Sequence, residues 1–278
     1  MKEYKSFYKK VEGNEGDKCN YNTRLDTYGC GCQHDCSYCY AKSLLSFRGL
    51  WDAKEPSVAD IGKIKRKVNK LQRGDIVRLG GMTDCFAPIE NEHGVTYETI
   101  KALNDRGVRY LIVTKSDLVA DDKYMDILDK ELAHVQVTVT CFDDDRYKAL
   151  NYEKAVLPSR RIAAIEKLQR GGIDVQMRVS PYIPQYVDLE KLNAVKCDKV
   201  VVEFLRVNTW VKKWLDLDYT EYTIKQSGYL HMPLERKRAY IEKIRNKRVT
   251  VCEDETEAYE FWKNNFNPNK NDCCDLRE

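Results

Sequence analysis

The residues best suited to chemistry are cysteines in the run Tyr28–Lys42, YGCGCQHDCSYCYAK. Cys32, Cys36 and Cys39 form a C-x3-C-x2-C triplet, and Cys30 lies two residues before it. Three thiolates on such a short stretch can bind one metal centre from a single loop.

The spacing does not match the common structural metal sites. A structural zinc site usually has four ligands in two separated pairs, and His34, inside the same tight loop, is poorly placed to complete a tetrahedron. The C-x2-C-x2-C-x3-C run of bacterial ferredoxins does not fit either. Three protein ligands leave one coordination position open, which is typical of a catalytic metal.

Composition and charge exclude several classes of protein. The 278 residues are 42% hydrophobic and 33% charged, which excludes wholesale disorder. The net charge of +3 neither identifies nor excludes a nucleic-acid binder. No run approaches the ~18 apolar residues of a membrane span, and the start MKEYKSFYKK lacks the apolar stretch of a secretory signal. We therefore expect a cytoplasmic protein with no membrane partner, in which eleven cysteines favour metal binding or catalysis over disulfides.

Strand and helix patterns alternate along the chain. Apolar residues recur at helical spacing in 61–71 and 162–168, and Gly107 and Gly171–Gly172 are positioned to end helices. The predicted strands are Asp75–Gly80, Val108–Thr114, Val135–Cys141, Ile173–Val179 and Lys199–Val207, with a weaker candidate at Tyr21–Tyr28. Six such units predict an α/β fold, a partial (βα)6 TIM-type barrel over 21–207, with an N-terminal arm at 1–20 and a C-terminal extension at 208–278.

Two predicted strands alternate between apolar and polar side chains. In Val135–Cys141 the valines alternate with Gln136 and two threonines, and Ile173–Val179 alternates in the same way. A closed TIM barrel fills its interior with branched apolar side chains. A polar interior therefore favours a partial barrel whose lumen is the binding site. The alternative is an antiparallel sheet with one solvated face, which the intervening helices disfavour.

The triplet, with the aromatic Tyr38 before its last cysteine, is the signature of radical SAM enzymes. The run Gly31–Ala41, GCQHDCSYCYA, resembles the spore photoproduct lyase-like branch of that superfamily. Further segments resemble the same branch in order, over roughly residues 20–240: Met82–Glu90, Val113–Asp122, Val137–Asp145, Pro158–Gln185 and Gly228–Glu235.

This resemblance implies a cofactor and a reaction. Cys32, Cys36 and Cys39 would ligate three irons of a 4Fe–4S cluster, and the fourth iron would take the amino and carboxylate groups of S-adenosylmethionine (SAM). One electron, from a donor of flavodoxin or ferredoxin type, would cleave SAM to methionine and a 5′-deoxyadenosyl radical. That radical would remove a hydrogen atom from the substrate, while the barrel positions the reactants and excludes water.

The resemblance also implies roles for side chains near the ends of the predicted strands. The ammonium group of Lys115 suits the methionyl carboxylate, although it could also be a surface lysine. Arg178 is expected to point inward, where either the cofactor carboxylate or Glu203 could be its partner. The predicted cofactor-binding residues are Tyr38, Thr83, Asp84, Lys115, Thr138 and Arg178, and the predicted catalytic residues are Tyr40, as a hydrogen-atom relay, and Cys85.

Cys85 marks a departure from the lesion-repairing relatives. Those enzymes place a cysteine hydrogen donor just before the turn at which this chain has Gly81–Met82. Cys85, directly after Asp84, could serve the same purpose from a shifted position or could be a buried thiol.

Three cysteines near the C-terminal end have no place in the radical-generating machinery. Cys252 ends a short apolar strand, and Cys273–Cys274 lies in a polar segment. Adjacent cysteines in such a segment suggest a second metal or iron–sulfur site formed by Cys252, Cys273 and Cys274. A redox-active pair and simple packing against the barrel are the alternatives.

The sequence is least informative about the substrate. Ile61–Arg73 carries six basic and no acidic residues, but a solvated helix face has the same composition. Asn208–His231 interleaves aromatic and basic residues that could stack bases or form a lid. The resemblance favours a pyrimidine base or a modified base in nucleic acid. The alternatives are a radical SAM enzyme acting on a peptide or small metabolite, and a zinc-stabilised nucleic-acid-binding module.

Overall fold

Strands and short helices alternate along the part of the chain that the computed structural model describes, residues 8–10, 18–21 and 23–276. The strands are β1 (Tyr8–Lys10), β2 (Thr23–Leu25), β3 (Tyr28–Gly29), β4 (Ser57–Val58), β5 (Ile76–Leu79), β6 (Arg109–Thr114), β7 (Ala133–Thr138), β8 (Asp174–Tyr182), β9 (Lys199–Phe204), β10 (Ile224–Gln226), β11 (Tyr229–His231) and β12 (Arg248–Val251). The helices are α1 (Tyr40–Phe47), α2 (Ile61–Val68), α3 (Glu90–His93), α4 (Val95–Arg106), α5 (Asp122–Met125), α6 (Asp144–Leu150), α7 (Pro158–Arg170), α8 (Leu189–Ala194), α9 (Thr209–Trp214), α10 (Leu234–Ile241) and α11 (Thr256–Asn265).

Eight of these strands form one sheet, in the order β1-β2-β5-β6-β7-β8-β9-β12. β1 pairs with β2 in antiparallel orientation, and the remaining neighbours are parallel. The predicted α/β partial barrel is confirmed, and β12 contributes a seventh parallel strand from the segment predicted as an extension. The domain boundaries at residues 20 and 207 stay a prediction, and the sheet itself runs across both of them, since it includes β1 and β12.

Local chemistry explains where several helices begin and end. Asp60 caps α2 by accepting a hydrogen bond from the Lys63 backbone N–H at 3.0 Å. Gly107 ends α4 with φ of 62°, a left-handed conformation that glycine adopts without strain. Pro158, which needs no hydrogen-bond donor, is the first residue of α7. These residues determine where the helices between successive parallel strands begin and end.

The two faces of the sheet carry different side chains. The valines of β7 lie in the main hydrophobic core. On the opposite face the register pairs His134 with Asp174 and Gln136 with Gln176, and the side chains of each pair are hydrogen-bonded, at 2.6 and 2.8 Å respectively. Burial of these polar groups is tolerable because they are bonded to one another. The lumen is therefore polar, as the alternation of side chains predicts.

The described helices are short, and the longest of them, α7, has 13 residues. Across the described ranges, none has both the length and the apolar content needed to cross a bilayer. The cytoplasmic location stays a prediction.

Candidate active site

The predicted cluster cysteines lie on the loop between β3 and α1. Cys32, Cys36 and Cys39 line one cavity, which opens at the carboxyl ends of the parallel strands. The Cys39 backbone N–H donates to the Cys36 carbonyl at 3.2 Å, so the loop turns tightly between these two ligands. Cys30 does not line the cavity. The structure thus brings together the three cysteines of the triplet and leaves Cys30 outside.

The chemistry of this donor set fits an iron–sulfur cluster. Burial raises the pKa of all three thiols, to about 12 for Cys32. The Lys115 ammonium acts in the opposite direction on Cys36 and Cys39. Soft thiolates are the preferred ligands of such clusters, and metal binding would release the protons that burial retains.

Asp84 and Thr83 fasten the cysteine loop to the ends of β5 and β6. Asp84 Oδ2 accepts a hydrogen bond from the Lys115 backbone N–H at 2.7 Å and lies 3.1 Å from His34 Nε2. Thr83 Oγ1 donates to the Gly31 carbonyl at 2.7 Å. Both residues line the cavity, but these contacts are with protein groups. His34, considered above as a fourth metal ligand, is held against Asp84.

The ionised Asp84 carboxylate should stabilise the fold in a pH-dependent way. Burial opposes its ionisation, but His34 and backbone hydrogen bonds outweigh burial and lower its pKa from 3.8 to about 2. The contribution is therefore fully present above about pH 4 and is lost as the pH falls toward about 2. A shift of this size corresponds to about 2 kcal/mol. We expect Asp84→Asn to lower the free energy of unfolding by up to that amount near neutral pH and by little at low pH, as measured by urea denaturation.

The control for this prediction is Asp145→Asn. The Asp145 side chain is 96% exposed and pairs only with an exposed lysine, so its replacement should change stability little at either pH. An Asp84→Asn protein whose stability follows the same pH curve as the wild type would contradict the assignment.

Sequence reasoning missed a buried ion pair directly behind the triplet. Arg161 Nη2 lies 2.7 Å from Glu153 Oε1, and both side chains are 0% exposed. The other Glu153 oxygen accepts hydrogen bonds from the Cys36 thiol at 3.5 Å and from the Tyr38 hydroxyl. Burial disfavours the ionised form, but Arg161, Lys115 and the Tyr38 hydrogen bond together outweigh burial and hold the pKa of Glu153 below its usual value. One feature of the sequence could have indicated this ion pair. Arg161 lies one helical turn before Ile165, on the face of α7 that is otherwise apolar and buried.

The two tyrosines that flank Cys39 have different partners. Tyr38 donates to Glu153, and Lys115 Nζ lies 5.5 Å from the centre of the Tyr38 ring. The Tyr40 hydroxyl donates to the Gly81 carbonyl, and the Tyr40 side chain is 38% exposed. Both tyrosines and Lys115 line the cavity.

Arg178 has protein partners in the lumen. Its Nη2 lies 2.5 Å from Glu203 Oε2, and its Nη1 donates to Gln136 Oε1 at 2.8 Å. Of the two partners considered from the sequence, the structure shows Glu203. Burial opposes ionisation of Glu203, but Arg178, Arg206 and the Ser180 hydrogen bond together outweigh burial and lower the Glu203 pKa to about 2. Thr138 and Arg178 both line the cavity, as the inward-facing alternation predicts.

Cys85 lies on the core side of its turn. It is 1% exposed, belongs to the main hydrophobic core and does not line the cavity. Burial, followed by the nearby charges of Asp84 and Glu90, raises the pKa of its thiol well above the usual value. This position fits the buried-thiol alternative, and a catalytic role for Cys85 stays a prediction.

Comparison with known proteins identifies the family. The profile of the radical SAM superfamily matches residues 27–191. The chain belongs to the radical SAM superfamily. An uncharacterized protein of Methanocaldococcus jannaschii is 31% identical to this radical SAM protein over 168 residues, which cover 58% of this chain and 60% of the relative. An uncharacterized protein of Mycobacterium tuberculosis is 26% identical over 166 residues, 57% of this chain and 49% of the relative. The match thus spans about half to three fifths of the length of these relatives.

Solved structures of radical SAM enzymes share the fold. Spore photoproduct lyase complexed with dinucleoside spore photoproduct superposes with a TM-score of 0.62 at 18% identity, over 85% of this chain and 78% of that one. Streptococcus suis SuiB bound to its precursor peptide SuiA superposes with a TM-score of 0.58 at 13% identity, over 88% of this chain and 51% of that one. Radical SAM membership implies a 4Fe–4S cluster and SAM, and it replaces the zinc-module alternative for the triplet.

Proposed function

We propose that this radical SAM enzyme abstracts a hydrogen atom from a pyrimidine base, or a modified base, in nucleic acid. The observation that carries the proposal is the composition of the cavity. The triplet cysteines line the same cavity as several basic and aromatic side chains, among them Arg206 and Tyr229. A bound substrate would therefore lie between the radical source and groups that can hold bases and phosphates.

The residues near the triplet are suited to hold the cofactors. Cys32, Cys36 and Cys39 would ligate the cluster, and the Lys115 ammonium would face the SAM carboxylate. When bound, the reduced cluster supplies the electron that cleaves SAM to a 5′-deoxyadenosyl radical. The protein's own contribution is to orient SAM and to exclude water from the lumen. An electron donor of flavodoxin or ferredoxin type is part of this proposal.

The rim of the cavity supports a nucleic-acid substrate. The Arg206 guanidinium lies 5.7 Å from the centre of the Tyr229 ring. Arg206 and Tyr229 line the cavity together with Asn208, so the start and end of the 208–231 segment border it. Stacking on aromatic rings combined with nearby cations is how many proteins hold unpaired bases. Tyr40, exposed at the same rim, is the proposed catalytic side chain.

A peptide is the second candidate substrate. Its support is the shared fold with SuiB, whose structure was solved bound to a precursor peptide. The polar lumen built from Gln136, Gln176 and Arg178 could accept backbone amides as readily as base edges.

Replacement of Lys115 should separate cofactor binding from cluster assembly. A charge-assisted hydrogen bond to a carboxylate contributes roughly 1.5–3 kcal/mol, so Lys115→Ala should weaken SAM binding by on the order of tenfold or more. The absorbance of the reconstituted cluster should be retained. Equilibrium binding of SAM under anaerobic conditions measures the effect, with Lys148→Ala on exposed α6 as the control. Unchanged affinity in Lys115→Ala would remove Lys115 from the cofactor site.

The substrate class is tested by isotope transfer. The reconstituted enzyme is incubated anaerobically with SAM, a reductant and candidate DNAs deuterated on their pyrimidines, and the 5′-deoxyadenosine formed is analysed by mass spectrometry. Deuterium in 5′-deoxyadenosine supports the nucleic-acid proposal. SAM cleavage with no deuterium transfer from any DNA, but with transfer from a deuterated peptide, would favour the second candidate.

A further inference from the structure

Four cysteines from three distant segments meet inside the open side of the barrel. Cys19 precedes the first parallel strand, β2, and Cys252 follows the last one, β12. Cys273–Cys274 approaches both from the C-terminal segment. Cys273 and Cys274 are buried in one cluster with Tyr21 and with Leu111 on the inner face of β6. The partly buried Cys19 and Cys252 pack against this cluster. The sequence alone indicated only three of these cysteines.

Direct bonds hold the three segments together. The Cys273 backbone N–H donates to the Lys18 carbonyl at 3.3 Å. Lys18 Nζ in turn donates to the Glu253 carbonyl, one residue beyond Cys252, at 3.0 Å. Each cysteine is thus presented by backbone that is tied to a neighbouring segment.

The thiols also contact one another. The Cys19 side chain is hydrogen-bonded with those of Cys273 and Cys274, and Cys273 is hydrogen-bonded with Cys252. All four thiols are free of disulfides. The Cys273 thiol thus contacts the other three. Four thiols at one point exceed what packing requires, since one or two apolar side chains would fill the same space.

Two arginines place positive charge near the cluster. Arg78 Nη1 donates to the hydroxyl of Tyr21, which packs with Cys273 and Cys274, at 2.9 Å. Arg178 lines the same cavity as Arg78 and as Val113, which packs against the cluster. Nearby guanidiniums would offset negative charge on metal-bound thiolates.

We propose that a single zinc ion is bound at this point by four thiolates, those of Cys19, Cys252, Cys273 and Cys274. Zinc takes four thiolates at about 2.3 Å in a tetrahedron, which places neighbouring sulfurs about 3.8 Å apart, close to thiol contact distance. A 4Fe–4S cube would instead separate the four cysteine sulfurs by the width of the cluster. Thiols that already contact one another need a smaller movement to surround one ion than to surround a second iron–sulfur cluster.

Zinc binding requires the four cysteine side chains to move closer together and to release their protons. Along the described part of the chain, no three His, Cys, Asp or Glu side chains are already arranged around an ion position, and this includes the Cys32, Cys36 and Cys39 triplet. Zinc binding would displace the remaining thiol protons to solvent and leave a doubly negative centre. Arg178 and Arg78 would offset that charge.

Measuring the metal content of the full chain tests this proposal independently of the substrate of the enzyme. The chain is purified anaerobically from zinc-supplemented cells, and zinc and iron are measured by mass spectrometry. We expect about one zinc per chain, reduced at least ~10-fold in Cys19→Ser and Cys274→Ser. Cys197→Ser is the matched control, because its buried thiol bonds to the Lys199 carbonyl at 3.2 Å outside this cluster. Cys32→Ala should lose iron but retain zinc.

Cobalt binding keeps the test valid if the serine variants misfold. Wild-type protein stripped with a chelator should develop the intense visible absorption of tetrahedral cobalt thiolate on addition of Co²⁺, and zinc should abolish it. Zinc retained in Cys19→Ser, no zinc and no cobalt signal in the wild type, or about four additional irons in place of zinc would each overturn the proposal.

Discussion

Replacing any one of Cys32, Cys36 and Cys39 by alanine should abolish reductive cleavage of SAM, with a loss of at least about 100-fold. Each thiolate is one of only three protein ligands, and the three line the same cavity. A cluster that already has one iron without a protein ligand is not stably held by two. Anaerobic reconstitution followed by quantification of iron, sulfide and 5′-deoxyadenosine measures the effect.

Cys30→Ala is the matched control for the triplet. It lies on the same loop, two residues from Cys32, but outside the cavity. It should retain the cluster and SAM cleavage at close to the wild-type rate. Loss of the cluster in Cys30→Ala together with its retention in Cys36→Ala would show that the ligand assignment is wrong.

Arg161→Ala should be among the most destabilising single substitutions in the chain, by about 3–5 kcal/mol. It would leave the Glu153 carboxylate without its partner in a site where both side chains are 0% exposed. Because Glu153 also accepts hydrogen bonds from Cys36 and Tyr38, the cysteine loop should loosen as well. Urea or thermal denaturation measures the stability, and cluster yield on reconstitution measures the loop.

Two further variants isolate the cause. Arg160→Ala, on the adjacent residue, removes an arginine that is 63% exposed and should cost less than about 1 kcal/mol. The double variant Glu153→Gln with Arg161→Met removes both charges and should recover much of the lost stability. Equal destabilisation by Arg160→Ala and Arg161→Ala, or no recovery in the double variant, would show that the buried charge is not responsible.

Local patterns in the sequence account for the fold and for the cluster ligands. The strand of 135–141 and the helix ended by Gly107 are both set by neighbours a few residues away. The triplet is equally local, since all three ligands lie on one loop. Such features can be predicted because the physics that determines them acts over short sequence distances.

The parts that were missed depend on contacts between distant residues. Glu153 reaches Cys36 across 117 positions, and nothing in the spacing around either residue indicates the other. Cys19 lies just before β2 and Cys252 just after β12, the first and last parallel strands of the sheet. Their proximity depends on the order of the strands, which the sequence around Cys19 does not indicate. The two alternatives for Cys85 could not be separated from the sequence, because sequence position fixes the strand end but not which side of the turn a thiol occupies.

The way the open side of the barrel is filled also bears on synthesis of the chain. The cluster that fills it joins Cys19 to Cys273–Cys274, about 250 residues later. At ~5–20 residues per second, a ribosome needs roughly 10–50 seconds to produce the second partner after the first. During that time the polar lumen and the inner face of β6 stay open to water and to chaperones. Val113 lines the cavity and packs against this cluster. That side of the cavity is therefore completed only at a late stage of translation, and a nascent chain halted before residue 273 should bind SAM poorly even with its cysteine triplet in place.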